Sequence, residues 1–173
     1  NNGNYFQYFK NEYSEVNSIG KLSYSSTNNK TIHFTFPDDY LPGSNSASGT
    51  VSGELVYVGY GITAPELDYD DYMNIDVKGK IIILESGTPY TKNDPTLAKW
   101  TPYAYHRYKF KNAVKHGAAG MIYVSKIANP NTVNIDNFIY AHVSTEVAIQ
   151  IFTDAGKNYK EIKASLKKPC IMG

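Results

Sequence analysis

The side chains that could do chemistry are few and dispersed. Four histidines occur, His33, His106, His116 and His142. None has a partner at metal-ligand spacing, and there is no His-Glu-x-x-His helix and no Cys-x-x-Cys pair. Each reads as a structural or surface residue: His33 alternates outward on a strand pattern, and His116 ends a helix pattern. Asp68, Asp70 and Asp71 gather oxygen ligands in one tyrosine-rich stretch, but the central Gly and terminal Glu of an EF-hand are missing. Their spacing leaves a solvated turn and an ion site both open, with the turn weighing more; Asp38-Asp39-Tyr40 reads the same way. A nucleophilic Ser or Cys needs a base and an orienting group within reach. No Gly-x-Ser-x-Gly elbow is present, and Cys170, close to Pro169 and far in sequence from any histidine, reads as a free structural thiol. Gly59-Tyr60-Gly61 lacks the spacing of a phosphate loop, and Pro65 interrupts any helix that would aim amides at an anion. Asn29-Lys30-Thr31 matches the glycosylation acceptor pattern, which matters only in a eukaryotic secretory protein.

One segment offers recognition chemistry instead. Residues 88–108 contain Tyr90, Trp100, Tyr103, Tyr105, His106, Arg107 and Tyr108. Aromatic and arginine enrichment in a long loop is the composition of a binding surface, and long loops often carry function. A structural reading weighs equally, with several rings capping the core or the base of the next helix. The candidate substrate or partner contacts are therefore Tyr90, Trp100, Tyr103, Tyr105, His106 and Arg107, and no residue is assigned to catalysis or metal binding.

The elements that must hold this loop follow from periodicity. Residues 1–50 are rich in Asn, Ser and Gly and read as an irregular flank with one strand at 31–36, where Ile32, Phe34 and Phe36 share a face. Residues 54–59 are β-branched and aromatic, hence a strand that exits through Gly59-Tyr60-Gly61. The apolar run Ile81-Ile82-Ile83-Leu84 before Glu85 predicts a strand covered on both faces, and residues 120–124 predict another. Between them, 86–104 reads as a loop with Pro89, Pro95 and Pro102. Residues 105–116 read as an amphipathic helix stopped by Gly117, so the two flanking strands should run parallel. A polar loop over 126–137 precedes a strand at 138–143. A helix capped by Ser144 or Thr145 follows, carrying Val147, Ala148, Ile151 and Phe152 and ending at Gly156. Asn158 and Glu161 form a capping-box pattern for a last short helix.

The bulk properties narrow the function classes. A 173-residue chain with 42% hydrophobic and 19% charged residues fits one globular domain with flanking pieces. A net charge of +1 gives no reason to expect nucleic acid or an anionic membrane as partner, and no apolar stretch approaches membrane-spanning length. The 16 tyrosines suit an extracytoplasmic surface, and a composition bias of the source genome explains them equally well; a secreted or periplasmic place is the expectation. The opening at Asn1, without Met or a signal-peptide pattern, reads as a processed or excised segment.

Several stretches together resemble the protease-associated (PA) domain of secreted two-zinc aminopeptidases, of the leucyl aminopeptidase and glutamate carboxypeptidase-like family. They are Val56-Tyr57-Val58-Gly59-Tyr60-Gly61-Ile62-Thr63-Ala64-Pro65, then Tyr69-Asp70-Asp71-Tyr72, then Asp76-Val77-Lys78-Gly79-Lys80 running into Ile81-Ile82-Ile83-Leu84. Lys109, Asn112-Ala113, Gly117-Ala118-Ala119-Gly120-Met121-Ile122-Tyr123-Val124 and Ser144-Thr145-Glu146-Val147-Ala148 continue in the family's order. The resemblance implies an α/β swivelling β/β/α fold, with open, barrel-like sheets flanked by short helices, over 51–168. It leaves 1–50 as a flank packing on a catalytic domain and 169–173 as a tail. It also implies a non-catalytic domain that modulates substrate access, recognition or architecture in a zinc-dependent parent. Its partners would be the peptidase domain of the same chain and a peptide or protein substrate, with zinc held by that peptidase domain and no cofactor here. The alternative is a stand-alone protein- or peptide-binding PA module attached to no peptidase.

Overall fold

The computed structural model describes residues 18–26, 28, 30–90, 95–125 and 136–166. Its centre is a five-stranded sheet of order β3-β9-β8-β7-β4, made of Tyr40–Pro42 (β3), Leu55–Tyr57 (β4), Ile81–Glu85 (β7), Gly120–Val124 (β8) and Ile139–Val143 (β9). β4, β7, β8 and β9 pair in parallel, and β3 lies antiparallel on β9 with Tyr40 opposite Val143. Residues of β7 and β8 are buried almost throughout, which is why their sequences are apolar without alternation. Two smaller sheets complete the strands: Ser23–Ser25 (β1) with Thr31–His33 (β2), and Thr63–Ala64 (β5) with Tyr69–Asp70 (β6).

Helices cover both faces of the central sheet. His106–Lys115 (α2) sets Phe110 and Ala113 against Leu84, Met121 and Tyr123. On the other face Thr145–Asp154 (α3) and Tyr159–Ser165 (α4) set Val147, Ile151, Phe152 and Tyr159 against Ile83, Val124 and Val143. Leu97–Ala104 (α1) buries Trp100 in a third cluster with Tyr60, Ile62 and Ala64. This mixed α/β arrangement, several sheets and four short helices among the described residues, is consistent with the fold that the resemblance implies. The caps also follow the sequence: Ser144 Oγ accepts from Val147 N at 3.2 Å, and Asn158 Oδ1 accepts from Lys160 N at 3.0 Å.

Three local expectations need correction. Among its described residues the flank contains three strands rather than one, and β3 joins the central sheet, with Tyr40 only 6% exposed. A three-residue edge strand shows no alternation to read, and an edge tolerates its Pro42. The strand expected over 31–36 ends at His33, leaving Phe36 38% exposed. The loop expected over 86–104 ends in α1, which tolerates Pro102 because the helix is short and the lost bond would reach back only into its first turn. Asn29, Cys170, the tail 169–173 and nearly all of the expected loop 126–137 lie outside the described residues.

Candidate functional site

The Gly59-Tyr60-Gly61 turn is where the chemically capable side chains converge. Gly59 and Gly61 have φ of 53° and 69°, a region where a side chain strains the backbone. The turn's polar groups are then met one by one. Asp71 Oδ2 accepts from Tyr60 N at 3.1 Å and Ile62 N at 3.0 Å, while its Oδ1 accepts from Tyr69 Oη at 2.7 Å. Asn112 Nδ2 donates to Gly61 O at 3.1 Å. Lys109 Nζ donates to Tyr60 O at 2.7 Å, Glu85 O at 3.0 Å and Gly87 O at 2.7 Å. Helical spacing explains the convergence: Lys109, Asn112, Ala113 and His116 stand at i, i+3, i+4 and i+7, one face of α2.

The charges in this frame are strongly perturbed. Burial pushes the Lys109 ammonium down to about 7, with Asp71 and Glu85 pulling it back up. Burial pushes the Asp71 carboxyl up to about 6, against the stabilising donors Tyr69, Ile62 and Tyr60 and the Lys109 charge. Perturbed groups of this kind mark functional sites in many enzymes. Here each is committed to a backbone position, so the perturbation is the cost of fixing the turn.

A hydroxyl, an imidazole and a carboxylate also meet beside it. Thr63 Oγ1 donates to Asp70 Oδ1 at 2.9 Å, lies 3.2 Å from His116 Nε2 and accepts from Asn112 Nδ2 at 3.2 Å. The Asp70 carboxylate takes the hydroxyl's proton and the Asn112 amide takes one of its lone pairs, so Thr63 is tied into the turn. Asp70 further accepts from Tyr72 N at 2.9 Å, and Asp68 forms the left-handed end of the 3₁₀ turn Pro65–Leu67. The aspartates of the acidic stretch thus serve three different local tasks. Among the described residues no group of three His, Cys, Asp or Glu side chains could hold a metal ion.

The six residues expected at a contact surface separate into two sets. Trp100 is 3% exposed, with Tyr90 tilted against it at 4.7 Å and Tyr69 edge-on at 5.2 Å. Tyr103 packs edge-on against Tyr108 at 4.8 Å and donates to Glu66. These rings are core and support. Tyr105, at the junction of α1 and α2, is 61% exposed, and Arg107 is exposed on the first turn of α2. They are the two of the six left facing solvent.

His106 turns inward instead. Its ring lies 4.3 Å from Tyr123 and 6.0 Å from His142, a fully buried residue of β9. Phe110 and Tyr140 close the same box, at 6.1 Å from His106 and 5.9 Å from His142. Among the described residues, His106 Nδ1, both nitrogens of His142 and Tyr123 Oη are buried without a well-formed hydrogen bond, although a backbone contact to Ser125 touches His142. On the opposite face of the sheet, Glu85 Oε1 accepts from Tyr159 Oη at 2.7 Å and its Oε2 pairs with Lys163 Nζ at 2.7 Å.

Sequence reasoning gave no site role to Lys109, Asn112 or Glu85, and weighed Asp71 only as a turn residue or an ion ligand. A usable signal existed for the first two, since a Lys and an Asn fall on the buried stripe of an amphipathic helix, where an unpaired polar group is costly. In comparison with known families, the family described as PA domain matches residues 51–159. No curated protein matches the chain.

Proposed function

From the premise that the chain belongs to the PA domain family, we propose that it is the accessory domain of a zinc-dependent aminopeptidase, shaping substrate access or recognition. PA domains are commonly protease accessory domains and generally non-catalytic. One observation carries the reading toward contact. The reactive-looking groups Lys109, Asp71, Asn112 and Thr63 are consumed in holding the Gly59–Gly61 turn, whereas Tyr105 and Arg107 face solvent from the helix that the turn anchors. Aromatic and Arg anchors on a rigid element suit a peptide or a facing protein domain.

The peptidase-specific part of the proposal rests on the resemblance of the 56–65 and 76–84 stretches to aminopeptidase PA domains. Zinc would be held by the parent's catalytic domain, outside the cell or in the periplasm. The residues here do not fit that metal: His106 and His142, 6.0 Å apart, have no third ligand among the described residues. The test is aminopeptidase activity of this segment expressed with its natural flanking sequence. Activity lost on chelation and restored by zinc, with Tyr105→Ala and Arg107→Ala altering substrate preference or KM, supports the proposal. A folded longer chain without activity overturns it in favour of a stand-alone binding module.

A further inference from the structure

The His106–His142 pair bonds neither the Gly59–Gly61 turn nor the solvent-facing Tyr105 and Arg107, and its setting is unusual. Two imidazoles sit in a box of Tyr123, Phe110 and Tyr140, and among the described residues no carboxylate pairs with them. The charged and titratable groups around the box can be named element by element. From α2 comes Lys109, a cation that repels a charged His106. From β8 comes the Tyr123 hydroxyl, which burial pushes up, and from β9 the ring of Tyr140. From β7 the nearest charge is Glu85, which occupies the opposite face of the sheet and is engaged by Tyr159 and Lys163. The backbone at Ser125 is the one contact that favours a charged His142. In addition, His106 is the first residue of α2, and a positive charge at a helix N-terminus opposes the helix dipole.

We propose that His106 and His142 form an acid-sensitive latch that holds the N-terminal half of α2 on the central sheet. When both are neutral they pack as aromatic rings. When protons are taken up, one or two charges appear in this aromatic box beside Lys109, and the stable response is for α2 to lift so that the buried nitrogens reach water. α2 carries Lys109 and Asn112, so lifting it also withdraws their hydrogen bonds from Tyr60 and Gly61 and disturbs the seat of Tyr105 and Arg107. The direction follows from linkage. Burial lowers His106 from its ordinary value of 6.5 and lowers His142 to about 4. Above 6.5 neither packed nor lifted state holds the extra proton on either ring, and the two histidines add no pH dependence there. As pH falls from 6.5 toward about 4 the lifted state gains protons that the packed state refuses, so the latch weakens.

The experiment is amide hydrogen exchange of the folded chain, corrected for intrinsic rates, at about pH 7.5 and about pH 5, paired with NMR titration of the assigned histidine rings. Local exchange is preferred to global stability because Asp71, raised to about 6, responds to acid in the opposite sense. The expected result is roughly a 10-fold loss of protection over 106–112 on acidification. That loss should disappear in His106→Phe and in His142→Phe and persist in His33→Gln. The two buried rings should titrate below the ordinary histidine value of 6.5. Should His142→Phe fail to fold, His106→Phe at the less buried position and the wild-type ring titrations still decide. Unchanged protection at about pH 5, an equal loss in the variants that fold, or ring titrations near 6.5 for both residues would overturn the latch.

Discussion

Lys109 Nζ lies 2.7 Å from the carbonyl oxygen of Tyr60, so a fully buried ammonium on α2 is bonded to the middle residue of a glycine-flanked turn. The same nitrogen also serves Glu85 O and Gly87 O. This places the end of β7, the exit of β4 and the helix under one side chain. Replacing Lys109 by Met keeps the stem but leaves three inward-facing carbonyls without that donor. A buried acceptor that loses its partner costs about 1–3 kcal/mol, and partial hydration relieves some of the sum. Lys109→Met should therefore lower stability by about 3 kcal/mol, a fall in Tm of roughly 10 °C for a chain of this size. Thermal unfolding by circular dichroism measures it. An unchanged Tm would mean that water replaces the ammonium at no net cost.

Asp71 tests the other side of the turn and has a defined pH signature. Its carboxyl is raised from 3.8 to about 6 by burial, against the hydrogen bonds it accepts. A group whose folded value is raised contributes stability below its unfolded value and loses it as pH rises through the folded one. Asp71 accordingly favours the folded state more at pH 4 than at pH 7, by about 2 kcal/mol. Asp71→Asn keeps an oxygen for Tyr60 N and Ile62 N and removes the titration. Its stability should match wild type at neutral pH or exceed it, with the rise between 7 and 4 flattened relative to wild type. Asp71→Ala should lose about 2–4 kcal/mol at every pH, because two amides of the turn are left bare. Urea unfolding at several pH values separates the two; equal curves for Asn and Ala would refute the bonding role.

How much of this was legible beforehand divides along physical lines. The strands Ile81–Glu85 and Gly120–Val124, their parallel pairing and the caps at Ser144 and Asn158 were readable because local sequence determines them. β3 was not, since an edge strand of three residues is stabilised by β9 rather than by its own pattern. α1 was hidden by Pro102, and with it the burial of Trp100. The site suffered more than the fold. Trp100 and Arg107 look equally suited to binding when only composition is known, and which of them faces water depends on where Tyr60 and Ile62 lie in space.

That division yields a prediction on the aromatic segment. Trp100→Ala removes a ring packed by Tyr69, Tyr90 and Tyr103 and should cost about 3–5 kcal/mol of stability. Tyr105→Ala and Arg107→Ala touch exposed positions and should change stability by less than about 0.5 kcal/mol. Unfolding curves for the three variants settle the assignment. A Trp100→Ala protein as stable as wild type would return that ring to the list of surface contacts, and a destabilised Tyr105→Ala would remove Tyr105 from it.

A glycine pair separates backbone strain from packing at the turn. Gly61 and Gly79 have nearly the same φ, 69° and 71°. A Cβ at Gly79 meets nothing within 4 Å, whereas at Gly61 it would lie 2.8 Å from Leu84 Cδ2 and 3.4 Å from Tyr72 Oη. Alanine at either site incurs a left-handed backbone cost of about 1–2 kcal/mol. Only at Gly61 must Leu84, fully buried in β7, also move, which adds an overpacking cost of about 1–3 kcal/mol. Gly61→Ala should thus be the more destabilising by that second amount, measured as the difference in urea midpoint between the two variants at equal m. Equal midpoints would show that Leu84 yields freely, and that Gly61 is needed for its backbone angle alone.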